Sequence, residues 1–150
     1  MIEKLPPLEK IPEALSAAAD GRITLVPGEN RAMIRSSNGQ KQYTVTWEDG
    51  VYASDDNATW WAGYPGYPVI AVWMLQGFLP CEEAFARQFA GVSWNELNAK
   101  YKRKYDRALK EVMTERGMDE PKTLEELRRI HEQLSRLPFS VKRGRKGNVK

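Results

Sequence analysis

The sequence predicts an α+β fold: a three- or four-stranded antiparallel β-meander packed on a buried central helix, then a helical C-terminal half with an antiparallel helix pair. Three observations support this fold class. The turn pairs 38–39 and 49–50, Asn-Gly and Asp-Gly, separate short runs of alternating polarity. A run that is apolar on every side, 69–75, follows them. From Pro80 onward, capping signals and apolar repeats at helical spacing replace the strand pattern.

One helix and one strand are predicted before the meander. Pro12 opens the stretch 12–20 and Gly21 follows it. These residues are typical of helix ends, because proline lacks an N–H that the first turn leaves free and glycine tolerates a left-handed cap. Residues 23–26 form a short β-branched and apolar run that stops at a Pro-Gly pair. We therefore expect a strand there, lying beside the meander.

The meander is predicted over residues 31–54. Asn-Gly and Asp-Gly pairs readily adopt the positive φ angles of tight hairpin turns, so 31–36, 41–47 and 51–54 are expected to be three antiparallel strands. Aromatic and apolar residues alternate with threonines in the middle strand. One face of the sheet is therefore expected to be buried. The all-apolar helix at 69–75 is the natural element to cover that face.

The C-terminal half is predicted to contain three helices. The first opens at Pro80 and carries Cys81 in its first turn. The other two begin at the capping boxes 93–96 and 123–126, in which the first side chain bonds the N–H of the last and the last bonds back. The second helix is expected to run without a break to Gly117. The second and third helices form the predicted antiparallel pair.

The domain organisation follows from composition and charge. The 150 residues are the size of one domain. We expect a single domain over 1–138, made of an α/β core (1–80) and a helical half (80–138), with a flexible basic tail at 139–150. Residues 1–80 hold six Lys and Arg against nine Asp and Glu, whereas the remainder hold seventeen against eleven. The positive charge of the second half favours an acidic partner.

Several classes of chemistry find no support in the sequence. One cysteine excludes a disulfide framework, and one histidine leaves little material for a metal site. There is no Gly-rich phosphate loop and no Gly-x-Ser-x-Gly elbow. We therefore assign no catalytic residue, metal or cofactor. The N-terminal residues lack a basic-then-apolar leader pattern, so a cytoplasmic protein without a membrane partner is the expectation.

A cationic face is predicted on the second helix of the C-terminal half. At helical spacing its four basic residues lie together, and like charges so placed are slightly destabilising. With the basic tail, such a face could follow a phosphate backbone. The alternative is an ordinary solvated helix face. The candidate binding residues are Lys100, Arg103, Arg107 and Lys110 on the helix and Lys142, Arg143, Arg145 and Lys146 in the tail.

An aromatic groove is the second candidate site. Trp60, Trp61, Tyr64 and Tyr67 fall in a short stretch rich in glycine and proline. Aromatic rings can line a groove for a peptide, a sugar or a base. The alternative is that these rings cap the end of the buried helix, with their polar atoms at the surface.

Two further groups have both a chemical and a structural interpretation. Asp55 and Asp56 are adjacent carboxylates between a strand and a helix, where they could act as an acid/base pair. Such residues more often cap the following turn, and we favour that interpretation. His131 lies at the border of an apolar helix stripe. Because no nucleophile or second histidine stands at a known spacing from it, we interpret it as a partly buried structural residue.

The stretch 34–75 resembles the SWIM zinc-finger family in layout. A hairpin, with Asn38-Gly39 and Asp49-Gly50 at its turns, leads through a variable loop to a helix that begins at Pro68. In that family a Cys-x-Cys pair and a Cys-x-His pair hold zinc. The matching positions here are Ser54, Asp56, Gly66 and Pro68. Glycine and proline supply no ligand, so the resemblance implies a relative without metal. It also implies binding to nucleic acid or protein.

Three functions follow from these observations. The first is a non-enzymatic binding module whose basic helical face contacts an acidic partner, with nucleic acid preferred over protein. The second is a protein–protein adaptor or homodimer built on the C-terminal helices. The third is an enzyme with a site near Asp55, Asp56 and the aromatic stretch 60–67.

Overall fold

The structure, a computed structural model, describes residues 2–144. Within this range the chain forms six α-helices, one π-helical turn and five strands. Four of the strands lie in the first half of the chain. In chain order the elements are α1 (Lys10–Ala19), β1 (Ile23–Leu25), β2 (Arg31–Arg35), β3 (Gln42–Glu48), β4 (Val51–Ser54), the π-helical turn (Ala58–Ala62), α2 (Tyr67–Leu75), α3 (Glu83–Arg87), α4 (Trp94–Lys100), α5 (Tyr105–Glu115), α6 (Glu120–Ser135) and β5 (Ser140–Arg143).

The strands form one five-stranded sheet in the order β1-β2-β3-β4-β5. Consecutive strands from β1 to β4 pair antiparallel, which confirms the predicted meander with β1 as its fourth strand. Glu48 pairs with Val51, so only two residues connect β3 to β4. Both of them, Asp49 and Gly50, have positive φ angles of 52° and 79°. The type I′ hairpin turn requires such angles, as the Asp-Gly pair predicts.

The prediction of a flexible tail from residue 139 onward is wrong for its first residues. Ser140–Arg143 forms β5, which pairs parallel with β4. The ring of Phe139 anchors this strand, since its centroid lies 5.2 Å from that of Tyr52 and 5.8 Å from that of Trp73. Aromatic packing and sheet hydrogen bonds therefore order a segment whose composition resembles a solvated end. The sheet is mixed rather than purely antiparallel.

The structure describes two of the four basic residues predicted to bind a partner from the tail. Lys142 and Arg143 are part of β5, so they occupy defined positions at the edge of the sheet. Arg145 and Lys146, also predicted to bind an acidic partner, lie outside the described residues.

The central helix α2 lies in the core, as its all-apolar sequence predicts. Residues 68–74 are all buried. The helix packs against α1 on one side and against β3 and β4 on the other. The core continues into α5 and α6 through Leu109, Leu127 and Leu134. Among the described helices, none combines the length and the apolar character needed to cross a bilayer.

The single helix predicted from residue 93 to Gly117 is two helices in the structure. After α4 the backbone enters the left-handed region at Lys102 and Arg103, with φ angles of 52° and 67°. The N–H of Arg103 donates to the carbonyl of Asn98 over 2.8 Å and closes α4. The sequence has no signal here, because glycine usually marks such a helix end and none is present.

The predicted helix starts also need correction. Within residues 2–144 the Ser93 side chain makes no capping hydrogen bond. Helix α6 begins before its predicted capping box: Asp119 is the N-cap and accepts from the N–H of Lys122 at 3.2 Å. Thr123, the predicted cap, lies inside α6 and is buried. Cys81 lies two residues ahead of α3 rather than in its first turn.

Candidate functional site

An open cleft of about 490 Å³ lies where α1, the π-helical turn and the α4–α5 junction meet. Two sets of residues that are far apart in the sequence meet there. The predicted aromatic groove contributes three rings, and the predicted cationic face contributes Arg103. We name this feature the aromatic cleft. Its lining includes Lys10, Glu13, Trp61, Tyr64, Tyr67, Arg103 and Tyr105.

The aromatic rings of the cleft differ in exposure. Trp61 is 76% exposed, an unusual state for tryptophan. Tyr64 is half-buried beside it. Tyr67 packs edge-on against Tyr43, with ring centroids 6.2 Å apart, and burial raises the pKa of its hydroxyl. Each interpretation therefore applies to part of this segment: the Trp61 side chain is largely exposed, whereas Tyr67 caps the start of α2.

Trp60 does not line the cleft but supports its edge. Its carbonyl accepts from the Nε of Arg143 at 2.8 Å. The guanidinium carbon of Arg143 lies 5.4 Å from the Trp60 ring and 6.0 Å from the Trp61 ring. The end of β5 thus places a cation beside the exposed tryptophan, within cation–π distance.

The floor of the cleft is a buried ion pair. Lys10 and Glu13 are only 8% and 5% exposed, and Lys10 Nζ lies 3.9 Å from Glu13 Oε2. The amide of Asn98 donates to Glu13 Oε2 over 3.1 Å. Lys10 Nζ also lies 4.1 Å from the centroid of the Tyr105 ring. Burial raises the pKa of Glu13, and Lys10 offsets this effect only in part.

The raised pKa of Glu13 leads to a pH dependence of stability. The folded state holds this proton more tightly than the unfolded chain, whose glutamate has an ordinary pKa of 4.5. The contribution of Glu13 to the free energy of unfolding is therefore fully present below pH 4.5 and is lost as the pH rises through the raised pKa. E13Q removes this titration, so the stability of the wild type relative to E13Q should fall between pH 4.5 and neutral pH.

Urea denaturation of the wild type and E13Q across this range measures the difference directly. Other carboxyl groups titrate equally in the wild type and E13Q, so their contributions cancel in the difference between the two free energies of unfolding. A difference that stays constant, or that grows with pH, would contradict the dominance of burial over the Lys10 ion pair.

The continuous cationic face predicted on one helix does not exist. The break between α4 and α5 separates Lys100 and Arg103 from Arg107 and Lys110. Lys100 pairs with Glu111 over 2.8 Å, and Lys110 pairs with Glu120 over 2.8 Å. Neither Arg103 nor Arg107 has an ion-pair partner within residues 2–144. Of the four predicted residues, only Arg103 reaches the aromatic cleft.

The two adjacent aspartates are structural, as favoured from the sequence. Asp56 Oδ2 accepts from the N–H of Thr59 at 3.1 Å and caps the π-helical turn. Its Oδ1 accepts from the hydroxyl of Ser54. Asp55 Oδ1 accepts from the N–H of Thr44 at 2.9 Å and ties the turn to β3. Both carboxylates are therefore committed to hydrogen bonds that hold the cleft wall.

Of the four positions that match the SWIM ligand pattern, Ser54 and Gly66 lie directly against a third, Asp56. Ser54 bonds its carboxylate, and the backbone of Gly66 lies directly against it: a Cβ on Gly66 would be 1.9 Å from Asp56 Oδ2. Pro68 follows in the first turn of α2. Within the described part of the chain, no three His, Cys, Asp or Glu side chains are placed to hold a metal ion.

His131 and Cys81 lie away from the cleft. His131 Nε2 is 2.8 Å from the carbonyl of Pro6 and, as the donor, links α6 to the N-terminal segment. The interpretation of His131 as a partly buried structural residue is confirmed. Cys81 is half-buried, and burial raises the pKa of its thiol.

The polar floor was not predicted from the sequence. Lys10 and Glu13 have the spacing of an ordinary surface pair on α1. Their burial depends on Asn98 and Tyr105, which reach them from the other half of the chain. The available signal is that the rest of α1 is apolar apart from Ser16, which leaves these residues little room to face water.

The fold and the site define an α+β protein with a cleft at the junction of its two halves, lined by aromatic rings and by charged side chains of both signs. The chain belongs to the family described as uncharacterised conserved protein UCP014422, whose model matches residues 3–140. No curated protein and no solved structure matches the chain.

Proposed function

We propose that this protein is a non-enzymatic binding module for single-stranded nucleic acid and that the aromatic cleft is the binding site. One observation carries the proposal: the cleft is lined both by the exposed ring of Trp61 and by Arg103, a cation without an ion-pair partner among residues 2–144. Single strands are bound by such combinations, in which rings stack on bases and basic side chains follow the backbone.

The size and charge of the cleft support the proposal. A volume of about 490 Å³ is within the range of small-ligand pockets, so one nucleotide can enter. Lys102 and Lys104 flank Arg103 and are exposed, and Arg143 stands beside Trp61. A base must leave its duplex to reach Trp61, which favours a single strand over double-stranded nucleic acid.

The enzyme hypothesis receives less support. The cleft does lie near Asp56 and Tyr64, where the sequence suggested a site. Both oxygens of Asp56 are already engaged by Ser54 and Thr59. These two hydrogen bonds fix the carboxylate of Asp56 in the cleft wall and occupy part of its acceptor capacity, which favours a structural role over that of a general base.

The adaptor or homodimer hypothesis has one observation in its favour. A cavity of about 700 Å³ lies along α5 and α6. The apolar side chains at its base, Leu109 and Met113, are already buried within the chain. The accessible lining of this cavity is nevertheless mainly apolar and includes the partly exposed Leu124, so binding of a partner helix is the second candidate function. We favour the aromatic cleft because it contains Trp61, the tryptophan that is 76% exposed.

Charge reversal at Arg103 tests the proposal. The affinity of a labelled single strand of about ten nucleotides is measured by fluorescence anisotropy at about 50 and 200 mM salt. The wild type should bind more weakly at high salt. R103E should bind more weakly than the wild type, and its slope of log affinity against log salt should be smaller by at least about 1.

R128E is the matched control. Arg128 is exposed on α6 and does not line the cleft, and its reversal changes the net charge equally. R128E should bind within about twofold of the wild type, since net charge alone has only a screened effect at this distance. Absence of binding at low salt, binding indifferent to salt, or equal effects of the two substitutions would each reject the proposal.

A further inference from the structure

A smaller cavity of about 30 Å³ adjoins the aromatic cleft. The two share part of their lining, namely Glu13, Tyr67, Asn95 and Asn98. We name this cavity the inner chamber. It has room for about two water-sized groups. The edge of a ligand can therefore enter the inner chamber while the rest of the ligand stays in the cleft.

Three residues that line the inner chamber carry buried polar atoms without a hydrogen-bond partner among residues 2–144. They are Arg22 with Nε and Nη2, Trp94 with Nε1, and Asn98 with Oδ1. Trp94 is only 4% exposed. Buried polar atoms in folded proteins are nearly always paired, so this concentration in one cavity points to a ligand.

The guanidinium of Arg22 is held in place by its other nitrogen. Nη1 donates to the carbonyl of Arg35 over 2.6 Å. Nε faces Asp20 Oδ2 at 3.6 Å, which is an ion-pair distance but too long for a hydrogen bond. The edge formed by Nε and Nη2 is therefore anchored. Neither nitrogen has a full hydrogen bond within residues 2–144, and the Asp20 carboxylate and the Tyr67 hydroxyl interact with Arg22 only at longer range.

The free atoms select a particular kind of ligand group. Arg22 and Trp94 offer three N–H donors, and the Asn98 carbonyl offers one acceptor. A phosphodiester or a carboxylate has no donor for Asn98, and any phosphate or carboxylate would place negative charge beside Glu13. The edge of a nucleobase is neutral and carries both acceptors and donors.

We propose that the inner chamber reads the edge of a guanine whose ring lies in the aromatic cleft; this inference rests on the proposed function. Guanine presents two neighbouring acceptors, N7 and O6, which an arginine fork pairs with more often than with any other base. The N1–H next to O6 is a donor suited to Asn98. Adenine and uracil place a donor between two acceptors and cannot satisfy the two N–H groups of Arg22 together. Cytosine does place two neighbouring acceptors, O2 and N3, beside a donor, so it is the expected second choice after guanine, with which arginine forks pair most often.

The indole N–H of Trp94 reports on occupancy of the inner chamber. ¹H–¹⁵N spectra of the full-length protein are recorded during titration with the 5′-monophosphates of guanosine, adenosine, cytidine and uridine. The guanosine nucleotide should shift the Trp94 indole signal, bind at least about tenfold more tightly than the adenosine and uridine nucleotides, and rank ahead of the cytidine nucleotide. The indole signal of Trp73, which lies in the core away from both cavities, should not move.

Two variants test the assignment without relying on a single substitution. R22K keeps the charge but loses the fork, and N98A removes the acceptor. Each should reduce the preference for guanosine monophosphate severalfold while the Trp73 signal confirms an intact fold. The inference is overturned by any of three results: another nucleotide binds more tightly than guanosine monophosphate, all four nucleotides bind equally, or the Trp94 indole signal does not shift.

The outcomes separate this inference from the proposed function. If single strands bind with the expected response to R103E but guanine is not preferred, only the guanine assignment fails. If neither single strands nor nucleotides bind, both the guanine assignment and the proposed function fail.

Discussion

G66A is expected to lower the free energy of unfolding by about 2–4 kcal/mol. A methyl group at Gly66 would lie 1.9 Å from Asp56 Oδ2 and 2.7 Å from its Cγ, so the carboxylate must move. Asp56 is 4% exposed and bonds both Ser54 and Thr59. Its displacement leaves buried polar groups without partners. The φ angle of Gly66 is −76°, which alanine adopts without strain, so the steric clash is the sole cause.

A double-mutant cycle distinguishes this clash from a general effect at the start of α2. D56A should itself be destabilising, because it removes the cap of the π-helical turn. In the D56A background, G66A should have a much smaller effect than in the wild type, since the clashing carboxylate is gone. Chemical denaturation measures all four proteins. Equal effects of G66A in both backgrounds would show that Asp56 does not occupy this position.

W73A is expected to lower the free energy of unfolding by about 3–5 kcal/mol. Trp73 is fully buried in α2, and its ring packs edge-on against Tyr52 and stacks on Phe139. Its removal leaves a large cavity under β4 and β5. Because Phe139 anchors β5, the amide protons of that strand should also exchange faster in the variant.

W61A is the matched control for W73A, since the same side chain is removed from an exposed position. It should change the free energy of unfolding by no more than about 0.5 kcal/mol. Thermal or urea denaturation of the two variants gives the comparison. Similar losses in both would contradict the placement of Trp73 in the core and of Trp61 at the rim of the aromatic cleft.

Local chemistry explains why the meander was predictable. The Asp49-Gly50 pair specifies a two-residue turn regardless of what surrounds it. The alternation in β3 indicates the face of Val45 as the buried one, although Thr44 on the opposite face is buried as well. Because α2 is apolar on every side, it avoids water only when it lies in the interior of the protein. The determinants of these elements are residues close together in the sequence, so the elements can be recognised without knowledge of the tertiary structure.

The elements that were missed depend on partners far along the chain. β5 pairs with β4 across more than eighty residues, and no local pattern in Ser140–Arg143 indicates that pairing. The break at Lys102 and Arg103 uses left-handed angles in residues that rarely adopt them, so tertiary contacts override helix propensity there.

The candidate site was predictable in part for the same reason. The aromatic segment is contiguous, and its clustering alone drew attention to Trp61 and Tyr64. The ion pair of Lys10 and Glu13 and the inner chamber exist only because α4 lies against α1, which sequence spacing does not reveal. The break between α4 and α5, which separates the residues of the predicted cationic face, also directs Arg103 into the cleft.

The salt dependence of single-strand affinity, measured side by side for R103E and R128E, tests the role of the cleft most directly. If the cleft is the binding site, only R103E weakens binding and flattens the salt response. Identical behaviour of the two variants would mean that overall charge, and not this site, attracts the nucleic acid.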